Sequence, residues 1–199
     1  MTLEQLNILR KLARDKKFGR GAGHANHVNK LALRIYEGLV KTGLINGSEG
    51  DKMILEAAAL LHDIGLPNEP HNEAAFDFLA GVMPELLVTN PLPDDELSTL
   101  LYCILWHRGS VFVKRGSVAI ADPGYTRKMA AIIRVGDAFD RTLRELVEDV
   151  SIRLDGARLT FGVFSKHSVD TEIQRAKEKS DLMKQAYGLA GVGFEYAKS

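Results

Sequence analysis

The stretch Glu56-Ala-Ala-Ala-Leu-Leu-His62-Asp63-Ile-Gly65-Leu-Pro67 constrains this chain more than any other. Its first half consists of residues with strong helical preference or apolar side chains, which predicts a buried helix. Gly65 and Pro67 stop that helix. His62 and Asp63 therefore fall on its last turn, roughly 100° apart about the axis, where both can reach a cation lying off the helix end. A neutral imidazole and a carboxylate are ordinary ligands of a divalent metal. The alternative is a core histidine hydrogen-bonded to its neighbouring aspartate, and the rest of the chain has to decide between the two.

The chain has 199 residues, enough for one domain with a sizeable core. Its 26 acidic and 26 basic residues cancel, so net charge calls for neither nucleic acid nor an acidic membrane surface. The single cysteine, Cys103, allows no internal disulfide and fits a reducing compartment. The amphipathic start is not a signal peptide, and no apolar run approaches bilayer length. The expected location is the cytoplasm, with no nucleic-acid or membrane partner.

Helical spacing of apolar residues predicts helices over 2–15, 24–42 and 51–63. Residues 16–23 read as a loop carrying Lys16, Lys17 and Arg20, either a solvated hinge or a basic loop beside an anion site. His24 continues the stripe of Val28, Leu31 and Ile35 by one turn. His27 lies three residues on, and the spacing leaves open which of the two faces inward. A polar loop over 68–73, a helix from about Ala75, and a proline-rich connector over 83–95 follow. An apolar helix over 96–106 then ends at His107-Arg108-Gly109. Residues 109–124 read as a loop with an extended piece at Val111-Phe112-Val113, and 125–144 as a helix carrying Arg134, Asp137 and Arg141. Alternation on either side of Asp155-Gly156 predicts a β-hairpin. A final helix over 169–187 and a loose glycine-rich tail complete the chain. The expected fold is mainly α, with a helical domain over 1–145 and a hairpin-plus-helix extension over 146–199.

His24, His62, Asp63 and Asp137 each stand at the edge of an apolar stripe and converge as nitrogen and oxygen ligands. That set suits Mn, Fe, Co, Ni, Zn or Mg better than copper or a sulfur-ligated zinc. His71 and His107 follow helix-boundary loops and are either surface histidines or ligands of a second metal, with Asp63 bridging. Arg134 and Arg141 flank Asp137 at i−3 and i+4, where they either clamp phosphate oxygens or pair with carboxylates along the helix. Arg108, Lys114 and Arg115 add positive potential after His107.

Four segments taken together resemble the HD superfamily of metal-dependent phosphohydrolases. They are His24-Ala-Asn-His-Val, Ala58-Ala-Leu-Leu-His-Asp-Ile-Gly, Trp106-His-Arg-Gly, and Met129 to Arg141. Within it the resemblance is to the C-terminal HD domain of exopolyphosphatase and guanosine pentaphosphate phosphatase proteins, from about His24 to Tyr187. It implies an HD helical bundle. It also implies hydrolysis of a phosphoester or phosphoanhydride of a nucleotide or other small phosphate compound. Asp63, Arg134 and Arg141 would then be catalytic, a divalent metal would sit on His24, His62, Asp63 and Asp137, and Arg108, Lys114 and Arg115 would bind phosphate. A possible homodimer is compatible with the sequence. Two features depart from the family. Its His-rich run is reduced here to His71-Asn72-Glu73-Ala74, and the actin-like ATPase-type half that carries the main chemistry of the two-domain members has no counterpart in this sequence. The alternative reading is therefore a non-catalytic module that binds nucleotide or polyphosphate around a structural metal.

Overall fold

A computed structural model gives the fold and describes residues 1–15, 22–111 and 114–198. The basic segment around Lys16, Lys17 and Arg20, and residues Phe112 and Val113 of the expected extended piece, lie outside these. The elements run α1 (Leu3–Ala13), α2 (Ala22–Lys41), α3 (Glu49–Leu61), α4 (His71–Leu86), α5 (Asp94–Trp106), α6 (Pro123–Ala138), β1 (Asp149–Asp155), β2 (Arg158–Ser165), α7 (Asp170–Lys179), α8 (Asp181–Ala186) and β3 (Gly191–Lys198). The architecture is mainly α with a small sheet, as expected.

Polarity decides which helices are central. Every residue of α5 from Ser98 to Trp106 is buried, and α6 is buried continuously from Met129 to Gly136. A helix apolar on all sides has no solvent face and must lie inside the bundle. α2 and α3 pack on each other, α2 also on α6, and α3 also on α5, while α4 covers the far side of α5. Three helices begin where the sequence supplies a side-chain acceptor. Thr2 and Gln5 form a capping box at α1, Ser48 caps α3, and Asp122 caps α6.

Local signals placed most boundaries, and four need correction. α2 starts at Ala22, so His24 lies in its first turn. α4 starts at His71, directly after Pro70, rather than near Ala75, and continues through Pro84 to Leu86, where a connector was expected. α6 ends at Ala138, so Arg141 lies beyond the helix and not on one face with Arg134. The single helix expected over 169–187 breaks at Ser180 into α7 and α8.

The hairpin forms as read, closing at Asp155 opposite Arg158, with Gly156 in the left-handed region. The tail is not loose: Gly191–Lys198 is a strand that pairs in parallel with β2, giving the order β1-β2-β3. Phe194 of that strand stacks on Phe161, with ring centroids 5.1 Å apart, and both approach Phe139 at the end of α6. The sheet joins the bundle at Gly38 of α2, where an added Cβ would come within 2.3 Å of Ile152. Buried apolar residues from α1 to Leu189 belong to one contiguous core, and α7 and α8 both pack on α6. No helix among the described residues is long and apolar enough to cross a membrane.

Candidate metal centre

Five helix ends meet at one point. The C-terminal ends of α3, α5 and α6 deliver His62-Asp63, His107 and Asp137, and the first turns of α2 and α4 deliver His24 and His71. A helix C-terminus carries partial negative charge from its unpaired carbonyls, so three such ends favour a cation between them. Close backbone contact sets the spacing. At Gly65 an added Cβ would lie 2.1 Å from the His71 carbonyl and 2.5 Å from the Ala75 amide nitrogen. Only glycine lets the turn after His62-Asp63 lie against the first turn of α4.

His62 and His107 are held by the same device. Each caps the end of its helix and donates Nδ1–H to the carbonyl three residues back, to Ala59 at 2.7 Å and to Ile104 at 2.6 Å. A carbonyl can only accept, so the proton is on Nδ1 and Nε2 is left as a lone-pair donor facing the centre. His24 Nδ1 lies 2.8 Å from Asp140 Oδ2, which directs its Nε2 inward in the same way. Hydrogen bonds of this kind are what orient metal-ligating histidines. His71 differs: its Nδ1 lies between Glu69 Oε1 at 3.2 Å and Arg108 Nη1 at 2.7 Å.

The inward atoms form two triads, each able to hold a metal ion: His24, His62 and Asp137, and Asp63, His71 and His107. Within the first, His24 Nε2 is 3.4 Å and His62 Nε2 3.7 Å from Asp137 Oδ1. Within the second, His71 Nε2 is 3.0 Å from Asp63 Oδ1 and 3.2 Å from His107 Nε2. Asp63 touches both, since its oxygens also lie 3.7 Å from His24 Nε2 and 3.5 Å from His62 Nε2. Two ligand atoms about 2.1 Å from one ion, at octahedral or tetrahedral angles, are about 3.0–3.4 Å apart. The observed separations sit at and slightly beyond that range. His62 Nε2 is fully buried and has no hydrogen-bond partner among the described residues. A buried lone pair in that state asks for a ligand. The donor set therefore fits a divalent cation.

The electrostatics agree. Burial alone would raise the pKa of Asp63, but the His62 charge and the hydrogen bond from His71 hold it well below the usual carboxylate range. Asp137 is held low against burial by His24 and His62. Burial opposes charge on His24, yet hydrogen bonds to Asp137 and Asp140 prevail and push its pKa up to about 9. His62 is raised against burial by Asp63 and Asp137. Without metal, a second proton on the Nε2 of His24 and His62 balances carboxylates that stay ionised, and a bound cation would take the place of those protons.

No family model and no curated protein matches this chain when it is compared with known proteins.

A cavity of about 430 Å³ opens above the triads. His24, Asp63, His71, His107 and Asp137 form its floor, and Arg108, Arg141, Arg175 and Lys179 stand around it. Of the expected site residues, all six metal ligands meet at the centre; five of them, with Arg108 and Arg141, line the cavity, and His62 is fully buried behind it. Three others do not line the cavity. Arg134 is buried, donates Nε–H to the Trp106 carbonyl at 2.6 Å and a second hydrogen bond to the Gly109 carbonyl, and lies 3.5 Å from Asp181. It fastens the turn that carries His107 and Arg108. Arg115 is turned onto α4, paired with Glu73 and with both oxygens of Asp77, and Lys114 is exposed. Glu73 is thereby occupied at the surface and is not part of the centre.

The sequence reading passed over Asp140, Arg175 and Lys179. Asp140 is 1% exposed, and its second oxygen accepts the Glu145 amide at 2.8 Å, holding a turn in which Leu143 and Glu145 adopt positive φ. Its signal was available: a histidine aimed inward needs an acceptor on Nδ1, and Asp140 lies one turn past Asp137. His27 is also buried but stays outside both triads, and desolvation lowers its pKa.

Proposed function

We propose that this protein is a metal-dependent phosphohydrolase of the HD type, acting on a phosphoester or phosphoanhydride bond of a nucleotide or other small phosphate compound. The observation that carries the reading is the pair of buried triads sharing Asp63 beneath a cavity rimmed by arginine and lysine. His24, His62 and Asp137 would hold one divalent ion and Asp63, His71 and His107 a second, with Asp63 between them. When bound there, such ions supply positive charge to a phosphoryl oxygen and acidify a water. The protein's own part is placement. Asp140 and the Ala59 and Ile104 carbonyls lock three imidazoles, so no reorganisation is needed when the substrate arrives. Arg141 and Arg108 face the substrate volume, where a guanidinium fork matches phosphate oxygens. Arg134 serves from behind, fixing the 106–109 turn. Phosphoryl transfer needs mainly alignment and charge neutralisation, and this site offers both.

The test is metal content by elemental analysis, joined to a screen of phosphate compounds with Mn, Co, Ni and Mg. Turnover that appears with metal and disappears with a chelator is expected. A metal-loaded protein that turns over none of the panel would overturn the reading.

One observation favours the second reading, a binding module with a structural metal. Arg108 Nη1 sits 2.7 Å from His71 Nδ1, and a guanidinium can only donate. That hydrogen bond would leave the proton of His71 on Nε2, facing the second triad. A single equivalent of metal with no turnover would decide for this reading.

A further inference from the structure

Resting on the phosphohydrolase reading, we propose that α7 makes this site selective for substrates with a second phosphate group, with Lys179, Arg175 and Arg141 as the specificity-determining residues.

The triads occupy only the floor of the cavity. Its opposite side is α7 and the turn after α6, which contribute Thr171, Arg175, Lys179, Arg141 and Thr142. The carboxylates of the cavity, Asp63, Asp137 and Asp140, are all on the histidine side. On the α7 side the cations outnumber their partners. Arg175 pairs with Glu178 at 2.9 Å, but Arg141 and Lys179 have no ion pair among the described residues. Lys179 is half-buried, so its charge is not simply solvated. Burial and the neighbouring Arg175 and Arg134 bring its pKa down to about 8 against the pull of Asp137 across the cavity. Like charges gathered in a partly desolvated wall with too few directly paired counter-charges are unfavourable unless an anion joins them.

Charge decides which anion. Once Arg175 is discounted for Glu178, Arg141 and Lys179 leave two positive charges. A carboxylate would cancel one of them, whereas a phosphate group carries about −1.5 to −2 at neutral pH. A volume of about 430 Å³ is within the range of small-molecule pockets and holds more than the one phosphate seated at the floor. The wall is also fixed in place. Thr142 donates to Glu172 Oε1 at 2.6 Å, and Arg134 meets Asp181, tying both sides of the α7–α8 break to α6 and its following turn.

The second phosphate can be joined to the first, as in pyrophosphate, or separated from it, as in a sugar bisphosphate. Isothermal titration of the metal-free protein with orthophosphate, pyrophosphate and fructose 1,6-bisphosphate distinguishes these. At least one two-phosphate probe should bind about tenfold or more tighter than orthophosphate, the scale of one charge-assisted hydrogen bond. Lys179→Gln should erase that gap and Lys179→Arg should restore part of it. Lys177→Gln, on the same helix but exposed outside the cavity, should leave it unchanged. A gap for pyrophosphate alone assigns contiguous phosphates, and a gap for the bisphosphate assigns separated ones. Equal binding of all three probes, or a gap that survives Lys179→Gln, overturns the proposal. If Lys179→Gln fails to fold by circular dichroism, Arg141→Gln, which removes the other uncancelled charge, carries the same comparison. Binding is read without metal or turnover. A persisting gap in a protein that hydrolyses nothing would leave the subsite standing and remove the hydrolase, while turnover without a gap would do the reverse.

Discussion

In the first triad His24 and His62 meet Asp137, with a further buried carboxylate, Asp140, behind His24; in the second His71 and His107 meet Asp63, which they share with the first, and the further carboxylate, Glu69 behind His71, is exposed. The histidines respond in opposite directions. The carboxylates push His24 up to about 9, whereas burial, helped by the nearby His62 charge, pushes His107 down to about 3. Two ligand sets of the same residue types a few ångströms apart therefore differ in what holds them before any metal arrives. A helix-end carbonyl orients one histidine in each half; the first adds the buried Asp140 and protons, and the second a neutral imidazole. The difference teaches that the supporting groups, not the ligands, give each half its character.

The largest expected effect removes what the halves share. Asp63→Ala should lower phosphohydrolase activity by several orders of magnitude, each tenfold step being about 1.4 kcal/mol of transition-state stabilisation. Circular dichroism should show an intact fold, because Asp63 ends a helix and its loss leaves little cavity. Activity equal to that of the parent would dissolve the idea of a shared bridge.

Supporting groups come next. Asp140→Ala should weaken metal binding about 10–100-fold, since the tautomer of His24 is no longer fixed. Glu69→Gln, whose parent is exposed and competes with Arg108 for His71, should change it by much less. Equal losses, measured by competition with a chromogenic chelator, would mean that the halves are supported alike.

Arg134→Met tests the second half alone. It removes the donor that bonds the carbonyls of Trp106 and Gly109, at about 1–3 kcal/mol, and loosens the turn bearing His107. Thermal melting should drop by several degrees, and the metal lost should be the equivalent held with His107. Loss of both equivalents together would show that the triads are not separable.

The smallest effect is in the pH profile of the metal-free protein. The folded pKa of His24, about 9, lies above the unfolded value near 6.5. Its stabilisation is therefore complete below pH 6.5 and is lost as pH rises toward 9. The folded pKa of His107, about 3, lies below the unfolded value, so stability falls as pH drops from 6.5 toward 3. His24→Gln should flatten the alkaline limb of a melting-temperature profile and His107→Gln the acid limb. Both variants flattening the same limb would break the comparison.

What could be read from the sequence was local. His62-Asp63 followed by Gly65 and Pro67 declares a helix end with two ligands, and Asp155-Gly156 declares a turn, because in each the decisive interactions lie within a few residues. The strand at 191–198 was missed because its glycines carry no strand preference; it exists through pairing with β2 and through Phe194 against Phe161, contacts some thirty residues away in the chain. The arginines show the same limit. Arg115, Arg134 and Arg141 look equivalent in the sequence, yet Glu73 and Asp77, two backbone carbonyls, and an open cavity respectively decide where each one goes. The site residues of α7 were hidden because nothing in Arg175 or Lys179 announces which helix they will face.

Ligand positions usually weaken a fold, because groups arranged for chemistry are poorly arranged for packing. The helix-capping hydrogen bonds of His62 and His107 reverse that trade. Each imidazole satisfies a carbonyl that the last turn of its helix would otherwise leave bare in the core. Selection for stability and selection for ligation then act on the same bond. A chain that drifted away from chemistry would still be penalised for losing either helix-end hydrogen bond, while Asp63 and Asp137 satisfy no backbone group among the described residues and are kept by their charge balance with the histidines. Decay of activity would be recorded first in the carboxylates, with the histidines left behind as part of the scaffold.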